Sequence, residues 1–400
     1  MSYSRFALFL TSLNNNNMKF KITLLITTIL ILVSCGDDEN HDHEHNLKVP
    51  ETYFFERNGM TSVSYTGQTT RLNQSDELYS ALNDNSFTLS DLNKMFQGEN
   101  GSSAGFSDEK LNGTSKIIGS KTSASSLRGN ALTKAQFVQL LTDYTEKIIP
   151  NWAADASIGN AGQYGKYHFT ENGHEIDQLF FKGLIGAFCL DQIINNYIHP
   201  NQLDSSTKVE DNNNEILSGD KNYTDMEHKW DEGFGYLYGQ VNDVTLNFGL
   251  PDSEESSGNL LMKYFIKADE NYHPGIAEKV YKAFKRGRAA IVAKNYIERE
   301  AQAKIIKQEL SKVIGQYAVH YLESAYTKIS SGSDRRESFH GLSEGYGFVL
   351  SLQFTNNGED EPYFTKEEVD TFLGQLNNFY TIEPSVILNM HDDIKSRFDL

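Results

Sequence analysis

Two stretches of this chain repeat one pattern. His228-Lys229-Trp230-Asp231-Glu232-Gly233-Phe234-Gly235-Tyr236 returns as His340-Gly341-Leu342-Ser343-Glu344-Gly345-Tyr346-Gly347-Phe348. Both read His, three residues, Glu, Gly, aromatic, Gly, aromatic, and an internal echo of this kind signals two related halves. On a helix, a His and a Glu four apart share one face. A neutral imidazole beside a carboxylate suits zinc or iron. Two such pairs set face to face would give one site from His228, Glu232, His340 and Glu344. Each copy also puts two glycines in a helix at about 1 kcal/mol apiece, so something must offset roughly 4 kcal/mol. Close helix crossing would do so, and then His and Glu only bond each other or cap a neighbour. A backbone approach to a ligand is the other explanation.

A third region, Asn172-Gly173-His174-Glu175-Ile176-Asp177-Gln178, places further candidates at a helix start. His174, Glu175 and Asp177 are secondary metal-ligand candidates. Without a ligand they read as a polar helix start with dipole-favourable carboxylates, and Lys182 could pair with a carboxylate there. If the chain were a metal-dependent hydrolase, Glu227 or Asp231 could serve as base.

The elements that must hold these residues are mostly helical. Thr133-Lys134-Ala135-Gln136, Thr224-Asp225-Met226-Glu227 and Thr365-Lys366-Glu367-Glu368 read as capping boxes. His174 to Tyr197 is strongly apolar, and Ile276 to Ile329 predicts two long helices. Ser338 to Phe354 predicts another helix, and Pro384 opens the last. Residues 52–72 read as extended structure with a small hairpin, and residues 98–130 as a long loop. The expectation is a mainly α fold of antiparallel long-helix bundles in two pseudo-repeated halves meeting near 240–260, with an N-terminal β-hairpin.

The first residues address the chain rather than fold it. Met18 to Lys21 is a short basic start, and Ile22 to Val33 is apolar but too short to span a bilayer. Residues 1–34 are therefore a signal segment whose true start is expected at Met18. Residues 35–50 form an acidic tether with the tract His41-Asp42-His43-Glu44-His45, which is either a weak metal chelator or a solvated spacer. Residues 51–400 form the folded domain. The formal net charge is −18, and residues 1–34 carry three cations and no acid. Such a surface repels nucleic acid, which is excluded as a partner. Cys189, between Phe188 and Leu190, is expected to be a small buried apolar residue.

Leu32-Val33-Ser34-Cys35-Gly36 resembles the lipobox of bacterial lipoproteins, in which the cysteine carries lipid. The acidic residues after it resemble the surface-export signal of Bacteroides-type lipoproteins. Together with Tyr65-Thr66-Gly67-Gln68, Lys182 to Ala187, Met226 to Tyr236, Arg286 to Ile291 and His340 to Gly345, the chain resembles an uncharacterised lipoprotein family of those bacteria. More remotely it is similar to imelysin-like proteins. That resemblance implies an exported, helical, two-bundle fold tied to iron regulation, with metal binding or peptidase activity in some relatives. The hallmark is Gly, any residue, His, two residues, Glu. Here Gly173-His174-Glu175-Ile176-Asp177 lacks the intervening residue and ends in Asp, and no His-Glu-x-x-His is present.

The leading expectation is a non-catalytic, lipid-anchored envelope protein of the outer membrane, periplasmic or surface-exposed. It would bind or relay a divalent transition metal (iron, zinc or copper), iron uptake being the setting. The alternatives are a metal-dependent hydrolase, and an accessory lipoprotein that docks on an outer-membrane transporter. Membrane contact would run through lipid on Cys35.

Overall fold

A computed structural model of the protein describes residues 47–400. The expected signal segment, Cys35 and the tract His41 to His45 lie outside the described residues. Residues Lys48–Leu400 form one compact unit, and the fold is mainly α with two short antiparallel strand pairs.

The expected N-terminal hairpin pairs β1 (Glu56–Arg57) with β2 (Met60–Thr61) around Asn58 and Gly59. The extended reading to residue 72 is corrected, because helix α1 already begins at Thr66 (Thr66–Ala81). Its buried face carries Gln68, Arg71, Gln74 and Ser75 beside its apolar residues, so no apolar periodicity marks it. A short helix, α2 (Leu89–Gln97), follows. The segment 98–130 is irregular except for one 3-10 turn (Glu109–Leu111).

Helix α3 (Ala131–Asp143) opens at Asn130, whose side chain accepts from the Leu132 and Thr133 amides. Thr133 is thus inside the helix and buried, and the capping box expected there does not form. A second hairpin, β3 (Gly162–Tyr164) with β4 (Tyr167–Phe169), leads to α4 (Ile176–Leu184). Helix α4 starts two residues later than His174 and continues through wider π-type turns at Ile185–Leu190 and Ile193–Tyr197. It is buried along this whole length, Cys189 included. Two short helices, α5 (Pro200–Leu203) and α6 (Lys208–Asn213), precede α7 (Asp225–Tyr238). Thr224 and Glu227 close the capping box of α7.

After an irregular stretch come α8 (Leu261–Asn271), α9 (Ile276–Val292) and the long α10 (Tyr296–Ser330). The chain ends with α11 (Phe339–Ser351), α12 (Lys366–Gln375) and α13 (Pro384–Phe398). The Thr365 capping box and the Pro384 start both form as expected. Helix α10 packs against α9, α11 and α13, and α11 also packs along α4. The two motif copies therefore ride on α7 and α11. Among the described residues no helix is long and apolar enough to cross a membrane.

Candidate functional site

Helices α4 and α11 cross closely because Gly347 lets them. A Cβ at Gly347 would overlap the Lys182 side chain and the backbone of Gly183. Ser351 fastens the same crossing: its Oγ donates to the Lys182 carbonyl at 2.9 Å and accepts from the Gly186 amide at 3.2 Å. The crossing carries Glu175, at the head of α4, up to His340. The Glu175 carboxylate lies 2.6 Å from His340 Nδ1, and its amide donates to Ser343 Oγ at 2.9 Å. His340 lies flat on Tyr167 of β4, with ring centres 4.2 Å apart and planes 16° from parallel.

With Nδ1 held by Glu175, the other ring nitrogen of His340 faces Glu344 Oε2 at 3.6 Å. Glu344 Oε1 accepts from the Tyr264 hydroxyl at 3.2 Å and stands 3.6 Å from Lys182 Nζ. These groups wall a cavity of about 370 Å³, with Asp177, Lys263, Lys267 and Tyr321 also in its lining. Burial, with the nearby Asp177 charge, pushes the Glu175 carboxyl up to about 7 against the pull of His340. Burial alone would lower the His340 value. The Glu175 hydrogen bond and the surrounding carboxylates outweigh it and hold the imidazole above its ordinary value. Burial raises Asp177 and lowers Lys182, each opposed by the neighbouring opposite charge.

The first motif copy has the same construction. His228 Nδ1 lies 3.0 Å from the Ser64 carbonyl, and the ring lies flat on Tyr223 at 4.5 Å and 15°. Its Nε2 faces Glu232 Oε2 at 3.9 Å. Gly235 lets α7 approach Tyr65, just before α1, and Gln68 within it, as Gly347 lets α11 approach α4. Gly233 packs against Ile198 and Tyr197, and Gly345 against Tyr321. Glu232 accepts from Gln68 Nε2 at 3.0 Å, the counterpart of the Glu344–Lys182 contact. Two features differ: the Nδ1 partner here is a backbone carbonyl in place of the Glu175 carboxylate, and a lysine follows the histidine. Lys229 Nζ sits 2.5 Å from Glu232 Oε2, and the matching residue of the second copy is Gly341.

The repeat thus makes two similar settings with different partners, not one joint site. Neither His228 nor Glu232 lines the cavity at His340, and the two histidines share no bonding partner. Among the described residues no group of three or more His, Cys, Asp or Glu side chains is placed to hold one metal ion. His228 and Glu232 thus do not join His340 and Glu344 in one cavity; His340 stands beside Glu344 with Glu175 on its other ring nitrogen. Asp177 joins the lining. His174 does not: its Nε2 bonds the Leu376 carbonyl at 2.9 Å and its ring packs on Phe379. Glu227 and Asp231, considered above as bases, are paired with buried Arg288 at 3.0 and 3.1 Å.

The chain belongs to the family described as domain of unknown function DUF4856. That family's model matches residues 50–400. No curated protein and no solved structure matches.

Sequence reasoning missed Tyr167, Tyr264 and Tyr321. The hairpin that delivers Tyr167 had a readable signal, Gly165-Lys166 between alternating residues, a two-residue turn with glycine first. Tyr264 and Tyr321 reach the site from distant helices, and no local pattern announces that.

Proposed function

We propose that this protein is a lipid-anchored envelope protein that captures a transition metal at His340 and Glu344, iron acquisition being the setting. One observation carries the reading: Glu175 holds His340 Nδ1 at 2.6 Å while Nε2 faces Glu344 at 3.6 Å. Metal-binding histidines characteristically give their second nitrogen to a carboxylate, which fixes the tautomer and makes the ring a better donor. Two donors each about 2.1 Å from one metal stand roughly 3–3.5 Å apart, so a small adjustment closes the pair on an ion. The first copy supports a cation in this setting, since there the Lys229 ammonium occupies it. Iron comes from the resemblance to imelysin-like proteins. The anchor at Cys35, the outer-membrane location and delivery to a transporter are part of the same proposal.

The test is metal content by mass spectrometry of residues 48–400, loaded with iron, zinc or copper and desalted. About one equivalent is expected in the parent and in His228→Ala, and none in a folded His340→Ala. A metal-free parent after loading, or full retention in His340→Ala, overturns the proposal.

A further inference from the structure

We infer that the cavity takes its metal as a complex with an oxygen-rich organic anion of the hydroxycarboxylate class, not as a bare ion. The inference rests on the metal reading above and names the form of its ligand.

The first ground is donor count. The protein offers two direct donors, His340 Nε2 and Glu344, and among the described residues no third His, Cys, Asp or Glu joins them in a metal-holding group. An octahedral ion would keep four positions for other donors. The second ground is size. Counted as space open to water centres, four waters need roughly 60 Å³ at ~15 Å³ each, whereas the cavity offers about 370 Å³. A compact chelator fits the difference.

The third ground is charge. Besides Lys182, the lining includes Lys166 from the β3–β4 turn and Lys263 and Lys267 from α8. Lys263 and Lys267 share one carboxylate, Glu254, at 3.4 and 2.9 Å. Lys166 forms no ion pair among the described residues and lies over the Tyr167 ring at 5.2 Å. An aquo ion has no use for these ammonium groups, and a free carboxylate anion would meet Glu175, Asp177 and Glu344. A chelate has a cationic centre for His340 and Glu344 and anionic arms for the lysines. The fourth ground is unmet hydrogen bonding. The Tyr144 hydroxyl and His168 Nε2, both buried among the lining residues, have no hydrogen-bond partner.

The experiment is equilibrium dialysis of residues 48–400, the compact unit, with radiolabelled iron(III) and radiolabelled citrate as the probe chelate. One citrate retained per iron, and no citrate retained without metal, is the expected result. Lys263→Ala with Lys267→Ala should weaken citrate retention about tenfold, and His340→Ala should abolish retention of both labels. Metal retained without citrate overturns this inference and leaves the metal reading standing. Citrate retained without metal makes the cavity an anion site and overturns both. No retention of either label, in a parent shown folded by circular dichroism, also overturns both.

Discussion

Lys229 and Gly341 hold the same place in the two motif copies, directly after the histidine. Lys229 puts its ammonium 2.5 Å from Glu232, and a Cβ at Gly341 would meet only Tyr321 Cδ1 at 4.0 Å. One copy therefore carries its cation within the motif, whereas the other takes Lys182 from α4 at 3.6 Å and opens on a cavity. Gly341→Lys should copy the first arrangement into the second and occupy Glu344. Loss of metal affinity of at least tenfold is expected, with stability unchanged or raised by up to about 1 kcal/mol, because glycine is the poorer helix former. Titration calorimetry and thermal melts on one preparation check both halves. Unchanged affinity would show that Glu344 takes no part.

Gly347 tests the crossing itself. Replacing glycine by alanine inside a helix gains about 1 kcal/mol from propensity, but here the new methyl would enter the Lys182 side chain and the Gly183 backbone. Overpacking of this kind costs about 1–3 kcal/mol. Gly347→Ala should lower the urea midpoint, and Gly341→Ala, with open space around it, should raise it. The opposite signs at two glycines of one helix separate close approach from propensity.

The sequence announced those glycines, and much else, through local signals. The boxes at Thr224 and Thr365 and the proline at 384 act within a few residues, so the starts of α7, α12 and α13 were legible. The start of α3 was misread because Thr133 carries the right pattern, but Asn130 upstream bonds two amides and takes the cap. Helix α1 was hidden by a polar buried face: Gln74 Nε2 bonds the carbonyls of Leu111 and Lys116 in place of apolar packing. For the site, the repeated His and Glu were legible as an i, i+4 pair. That Glu175 bonds His340 across 165 residues was not, since only the α4–α11 crossing joins them.

Asp191 offers a pH test away from the cavity. It is fully buried, and its carboxylate accepts from Ser126 Oγ at 2.6 Å and Asn195 Nδ2 at 3.0 Å. Burial pushes it from an ordinary 3.8 up to about 7, despite those two bonds. The folded state therefore binds this proton more tightly than the unfolded chain does. Its contribution to stability falls as pH rises from about 4 to 7 and is flat above, with a ceiling of about 4 kcal/mol. Asp191→Asn removes the charge and keeps an acceptor. The variant should match the parent near pH 4 and exceed it at pH 8. Equal midpoints at both pH values would show that Asp191 is ionised without cost.

Arg288 settles what Glu227 and Asp231 do. Its guanidinium is fully buried, donates to Glu227 at 3.0 Å and Asp231 at 3.1 Å, and covers the Phe55 ring at 4.9 Å. Asp231 also accepts from the Tyr53 hydroxyl at 2.7 Å, and Arg57 makes two 3.0 Å bonds to Glu227. The network ties the segment around β1 to α7 and α9. Removing one member leaves buried charge without its partner, at about 3–5 kcal/mol. Arg288→Met should cost that much in urea unfolding. Adding Glu227→Gln and Asp231→Asn should recover part of the loss, because neutral amides tolerate the interior better than bare carboxylates. Metal uptake at His340 should be unaffected while the variants remain folded. If Arg288→Met kept its stability and lost the metal, the first copy would have to be more than scaffold.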